Sequence, residues 1–290
     1  MVSENQYRSV WSAVLGVRFT QDWVDAAGVN TRYLNAGSAD MPPLLMLHGV
    51  VGHAEAFIRN LGAHGKHFNT YALDLLGNGY TDKPPIDYHI PVVADHVRDF
   101  MDAMGMDKAC ILGTSYGSRV AARFVANFPE RVEKLTLVSP GGLSYSKEVN
   151  GRILEGALRV IDNPTWDVVK ANLERFMADP SEITDDYIVT RQAIFRSAEF
   201  QEAKYRNLLA HMPETGHLSL ISEDEYRSIT KPTLVVRGIK GESAEPAMAE
   251  KIADLIPGAR LVIMKNVGHW PYYEHPEEFN ELHLNFLLNG

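Results

Sequence analysis

Six short runs of aliphatic and β-branched residues set the strongest limit on how this chain can fold. Leu44 to Leu47, Thr70 to Leu73, Ala109 to Leu112, Leu135 to Val138, Thr233 to Val236 and Leu261 to Met264 are near-continuous, and each ends on polar or turn residues. A strand with one wet face alternates apolar and polar residues. A continuous run reads as a strand buried on both faces, as in a parallel sheet. Amphipathic helical patterns lie between the runs, at Ile90 to Met104 and Ser118 to Phe128. Alternating strands and helices imply an α/β fold with right-handed crossovers. Near the start, Trp23 to Ala27 and Thr31 to Asn35 read as a hairpin around Gly28-Val29-Asn30.

One stretch breaks the rhythm. From about Leu143 to Arg227 no strand signal occurs, and helical patterns at Ile153 to Ile161, Val168 to Met177, Asp185 to Phe195 and Ala198 to Ala210 are punctuated by Pro164, Pro180 and Pro213. The expected organisation is a core of residues 1–142 and 228–290 with a helical lid, 143–227, over the carboxyl ends of the strands. Open α/β sheets bind their ligands at those ends.

Charge narrows the partners. With 28 basic and 37 acidic residues the net charge is −9, which argues against nucleic acid or polyphosphate, since both need a basic surface. No apolar run reaches the length of a membrane span. Met1 to Gln6 carries no basic region ahead of an apolar stretch, so no signal peptide is expected. The lone cysteine, Cys110, lies inside an apolar run and reads as a buried structural thiol; together these features point to the cytoplasm. His64 and His67 have a ligand-like spacing, but no second ligand cluster accompanies them, so both read as solvated and no metal is expected. No phosphate-binding or dinucleotide-binding glycine loop is present, so no cofactor is expected. The partner expected is a small-molecule substrate, and association with further copies of the chain is left open.

The chemistry centres on Gly113-Thr114-Ser115-Tyr116-Gly117, a G-x-S-x-G turn between a buried strand and a helix. Small residues let a tight turn lift the Ser115 hydroxyl clear of the sheet. A serine hydroxyl needs a base, and His269, just after the last strand, is placed to serve; His275 instead reads as the entry to the last helix. The orienting acid should follow the strand Thr233 to Val236. Glu242 is the first candidate and Glu245 the second, since the earlier loop Ser139-Pro140-Gly141-Gly142 offers no acid. The two oxyanion donors expected are the backbone N–H groups of Tyr116 and Val50, with His48 a structural hydrogen-bonding residue.

From about Trp23 to its end the chain resembles the α/β-hydrolase family. The His48-Gly49 turn, Asp74 to Gly79, the Ser115 turn and Gly268-His269 follow the family's order. The resemblance implies a mostly parallel eight-stranded sheet flanked by helices, a helical lid and a Ser115–His269–Glu242 triad. Within the family the chain looks like the meta-cleavage product hydrolases, which cut a C–C bond in vinylogous diketones from aromatic ring cleavage. Thr190-Arg191-Gln192, Gly268-His269-Trp270 and Glu274 to Phe279 carry that likeness. It implies that Arg191 binds the substrate's carboxylate or dienol oxygens, that Trp270 packs its flat chain and that Thr114 stands beside it. Two departures count: Thr114 and Ala56 occupy positions where that subgroup usually has Asn. They favour an esterase or lactonase as the alternative. A non-hydrolytic relative on the same scaffold, whether a ligand receptor, a lyase or a cofactor-free oxygenase, is the second alternative. Ser115 argues against relatives that use a carboxylate nucleophile.

Overall fold

The computed structural model describes residues 9–240 and 246–290; Met1 to Gln6, Glu242 and Glu245 lie outside the described residues. Eight strands form one sheet: β1 (Phe19–Ala26), β2 (Val29–Ala36), β3 (Pro43–Leu47), β4 (Asn69–Leu73), β5 (Ala109–Thr114), β6 (Val132–Val138), β7 (Thr233–Gly238) and β8 (Arg260–Met264). Their order across the sheet is β1-β2-β4-β3-β5-β6-β7-β8. β1 and β2 are antiparallel to their neighbours and β3 to β8 run parallel. Five of the six apolar runs are buried strands as expected. The run in β8 departs from that expectation: Leu261, Val262 and Ile263 are only half-buried, because β8 is the sheet's edge.

The hairpin also differs in detail. Its turn is Ala27-Gly28, both at positive φ (54° and 87°), so β2 already starts at Val29. Two left-handed residues in succession give the tight turn that matches strand twist.

Helices α1 (Ile58–His64), α2 (Ile90–Ala103) and α3 (Tyr116–Asn127) connect the first strands. Between β6 and β7 the chain is helical: α4 (Lys147–Asp162), α5 (Trp166–Glu174), α6 (Asp185–Arg196), α7 (Ala198–Leu208) and α8 (Glu223–Ser228). Helices α9 (Pro246–Leu255), α10 (Pro271–Glu274) and α11 (Pro276–Asn289) complete the fold. No described helix is long and apolar enough to cross a membrane. Two apolar clusters, one on each side of the sheet, make the core. Leu44, Met46 and Leu112 face one, while Leu45, Leu47 and Ile111 face the other, as alternate residues of a strand must.

The topology positions the site. After β3 the chain turns to one side to add β4, and after α2 it returns to add β5 on the other side of β3. Strand order therefore reverses between β3 and β5. At such a switch point the loops diverge and leave a crevice at the strands' carboxyl ends. The loop after β3 and the turn after β5 flank that crevice.

His64 is not solvated as the sequence suggested. It is fully buried, with Nδ1 at Asn60 O (2.9 Å) and Nε2 at His283 Nδ1 (2.9 Å), while His67 is exposed. His283 continues to Thr136 Oγ1 at 3.0 Å, so His64 belongs to a buried structural chain between α1, α11 and β6. Cys110 is buried and burial pushes its thiol up to about 11, as suits an inert packing residue.

Candidate active site

Ser115 sits at φ 52°, ψ −112°, between β5 and α3. Close packing enforces this turn. A Cβ on Gly117 would come within 2.2 Å of Leu47 O, and one on Gly113 within 2.2 Å of Gly117 O. Both glycines are required because α3 starts directly against β3 and β5. Positive φ in a residue with a side chain is strained and tends to cluster where function over-determines the backbone. Four described residues other than glycine show it: Ala27 in the hairpin, and Val51, Ser115 and Ser139. The last three lie just past β3, β5 and β6, on the wall of one cavity.

That cavity, about 250 Å³, also contains His269, Val50, Arg191 and Trp270. Thr114 is fully buried and does not line it. A Cβ on Gly49 would lie 3.9 Å from Ser115 Oγ, so the Gly49-Val50 peptide passes beside the hydroxyl. Tyr116 is the first residue of α3, and the N–H of a helix's first residue has no partner within the helix. Val50 lines the cavity, whereas Tyr116 is buried at the start of α3 and is not among its lining residues. His48 holds the loop: Leu75 N donates to its Nε2 at 3.0 Å and its Nδ1 donates to Gly49 O at 2.7 Å. Burial pushes His48 down to about 4, so it stays neutral. Further along, Glu55 accepts from the buried Arg32 and from His53 Nδ1, the latter at 2.7 Å. Ala54 N donates to Asp74 Oδ1 at 2.6 Å.

His269 is anchored through its backbone. Its N–H donates to Phe176 O at 2.7 Å, and its carbonyl accepts from Ser139 Oγ at 2.8 Å. Glu274, which sequence reasoning passed over, accepts from Gly268 N (2.7 Å) and Ala178 N (2.6 Å). It ties the His269 loop to the segment after α5. His275 precedes α11, as its sequence position suggested.

Among the described residues, the group at His269 Nδ1 is a cation: Arg237 Nη1 lies 3.3 Å from it. Burial first, then Arg237, pushes His269 down to about 3. Arg237 is the last residue but one of β7 and directly follows the run Thr233 to Val236 read from sequence as a strand. Its meeting with His269 is a contact 32 residues apart along the chain that no local pattern signals.

Arg191 of α6 is buried, with its guanidinium over the rings of Tyr187, Phe195 and Trp270 at 5.7, 5.9 and 5.5 Å. Its Nε has no hydrogen-bond partner among the described residues. Trp270 stacks on Phe176, with centroids 5.4 Å apart and planes 6° from parallel. Five arginines line the cavity, at positions 119, 152, 175, 191 and 237, and no described lining residue is an Asp or Glu. Arg152 also pairs with Glu148, while Arg119 and Arg191 are buried.

Residues 42–276 match the protein family described as alpha/beta hydrolase fold. Among curated relatives, the chain is 30% identical over 277 residues to the 2-hydroxy-6-oxo-6-(2'-aminophenyl)hexa-2,4-dienoic acid hydrolase of Metapseudomonas resinovorans, covering 93% of this chain and 91% of the relative. It is 26% identical to a carboxylesterase of Bacillus subtilis, covering 90% of this chain and 85% of the relative. Among solved structures, a meta-cleavage product hydrolase from Pseudomonas fluorescens superposes with a TM-score of 0.80 at 26% identity, covering 92% of this chain and 97% of that one.

Proposed function

The chain belongs to the α/β-hydrolase fold family, and we propose that it hydrolyses a C–C bond in a small, anionic vinylogous diketone of the meta-cleavage type. The observation that carries this reading is Arg191, a buried guanidinium on the cavity that holds Ser115, set among aromatic rings with its Nε unpartnered among the described residues. A neutral ester needs no such cation, whereas a dienoate carries a carboxylate that must be bound and held.

In this reading His269 removes the Ser115 proton and the alkoxide attacks the substrate's ketone carbon. The oxyanion is held by Tyr116 and Val50 N–H. Glu242, which follows β7 in the sequence, orients His269 and stabilises its imidazolium. Arg191 pairs with the carboxylate or dienol oxygens, where charge-assisted hydrogen bonds are strongest, and Trp270, backed by Phe176, gives the flat chain a wall to pack on. The C–C bond breaks as the dienol carbon takes a proton, and water releases the acyl group from Ser115. The segment 143–227 acts as a lid that keeps bulk water out. The protein works in the cytoplasm on a small molecule, without cofactor; the free thiol Cys110 suits a reducing compartment.

The test is optical. Wild-type protein should bleach a yellow dienoate, Ser115→Ala should not, and Arg191→Met should raise KM for it about tenfold or more. An unchanged rate in Ser115→Ala would sink the assignment. The second reading, carboxylesterase, is favoured by Thr114 and Ala56 in positions where the C–C hydrolases usually carry Asn. Phenol release from an aryl ester without bleaching of the dienoate would select it.

A further inference from the structure

A second buried cation in the cavity has no role in the chemistry above. Arg119 lies on α3, four residues after Ser115, and is only 6% exposed. Its Nη2 donates to Nε2 of His211 at 3.2 Å. His211 Nδ1 in turn meets Asn150 Oδ1 at 2.8 Å, and Asn150 Nδ2 donates to Ser146 O at 3.0 Å. Hydrogen bonds in this relay all point away from Arg119. His211 is neutral, since burial and then Arg119 hold its pKa well below the ordinary value. The partners of Arg119 among the described residues are therefore a neutral imidazole and the ring of Tyr116, 5.5 Å away. A buried guanidinium carries five donors and a full charge, and leaving these without an anion is costly. Such an arrangement is retained where a ligand supplies the anion.

Arg119 and Arg191 occupy separate places. Arg191 is walled by Tyr187, Phe195 and Trp270, and Arg119 by Tyr116, Gly142 and His211; no residue is shared. Both line the cavity that holds Ser115 and His269.

We propose that Arg119, oriented by His211 and Asn150, binds a second carboxylate, at the far end of the acyl portion that stays on Ser115. The substrate is then a dianion, held by Arg191 at one carboxylate and by Arg119 at the other. Arg119 is the fourth residue of α3, one turn on from Ser115 at its N-cap, which suits a short acyl chain with a terminal carboxylate, of the succinyl to glutaryl class. The proposal deepens the hydrolase reading and uses it only to say which end of the substrate meets Ser115.

The experiment compares monomethyl glutarate with methyl pentanoate, two esters of equal chain length that differ by a terminal carboxylate. Wild type should prefer the carboxylate-tipped ester in kcat/KM by about tenfold or more. Arg119→Met should abolish the ratio, Arg119→Lys should keep part of it, and Arg191→Met should leave the ratio standing. A wild type without preference, an Arg119→Met enzyme that keeps it, or loss of the ratio in Arg191→Met alone overturns the proposal. Should Arg119→Met not fold, Arg119→Lys and His211→Gln carry the comparison, and an undiminished ratio in both overturns it. Glutarate binding to Ser115→Ala, with and without Arg119→Met, gives the same answer if neither ester turns over. Weaker binding in the double variant supports the site; equal binding rejects it, whatever becomes of the C–C hydrolase reading.

Discussion

Arg237 Nη1 stands 3.3 Å from Nδ1 of His269, on the side of the ring that faces away from the reacting hydroxyl in a serine hydrolase. A cation there opposes protonation of the imidazole, and with burial it pushes His269 down to about 3. A base with a depressed pKa stays unprotonated into acid. Replacing Arg237 by Met removes the opposing charge and lets the folded pKa rise toward 6.5. The acidic limb of the kcat/KM profile should therefore move up, by about one unit. An unmoved limb would show that burial alone sets the base.

Two glycine-to-alanine changes should have opposite signs. Alanine in a helix is worth about 1 kcal/mol over glycine. At Gly151, on α4, an added methyl meets nothing within 4 Å, so Gly151→Ala should raise the urea midpoint. At Gly117 the methyl would sit 2.2 Å from Leu47 O. That overlap with backbone costs more than the propensity returns, and Gly117→Ala should lose about 2–3 kcal/mol together with activity.

Glu274→Ala leaves the Gly268 and Ala178 N–H groups without their acceptor. Stranding buried donors costs about 1–3 kcal/mol. Because Gly268 precedes the base, kcat should fall more than KM rises, and Glu274→Gln should restore part of it by returning one acceptor oxygen. Steady-state kinetics beside a melting curve separates the two effects.

Acid stability follows from the buried histidines. Burial pushes His48, His64 and His96 down to about 4 and His269 to about 3, and it holds His211 and His283 well below the ordinary value. In the unfolded chain each titrates near 6.5, so between about pH 4 and 6.5 the unfolded state binds more protons. Stability from these groups is full above pH 6.5 and is lost as pH falls through that window. Each contributes up to about 1.4 kcal/mol per pH unit. Chemical denaturation at pH 7, 6 and 5 should show a steepening loss corresponding to more than one proton.

Much of the fold was legible because its signals are local. Leu44 to Leu47 and Leu135 to Val138 read as buried strands, since burial on both faces leaves a continuous apolar run. Leu261 to Ile263 carries the same run yet is half-exposed, because position at the sheet edge is a property of strand order and not of the strand. His64 misled in the same way: its solvation depends on His283, which arrives from the other end of the chain.

The residues themselves determined the Ser115 turn: two glycines around a serine, between strand and helix, leave the backbone one tight path. What tertiary structure alone decided is the electrostatics around it. Arg119 and Arg191 come from α3 and α6, and only the fold brings both buried guanidinium groups to the cavity of Ser115 in a chain of net charge −9. Charge sums over the whole sequence, whereas potential depends on distance, and distance exists only after folding.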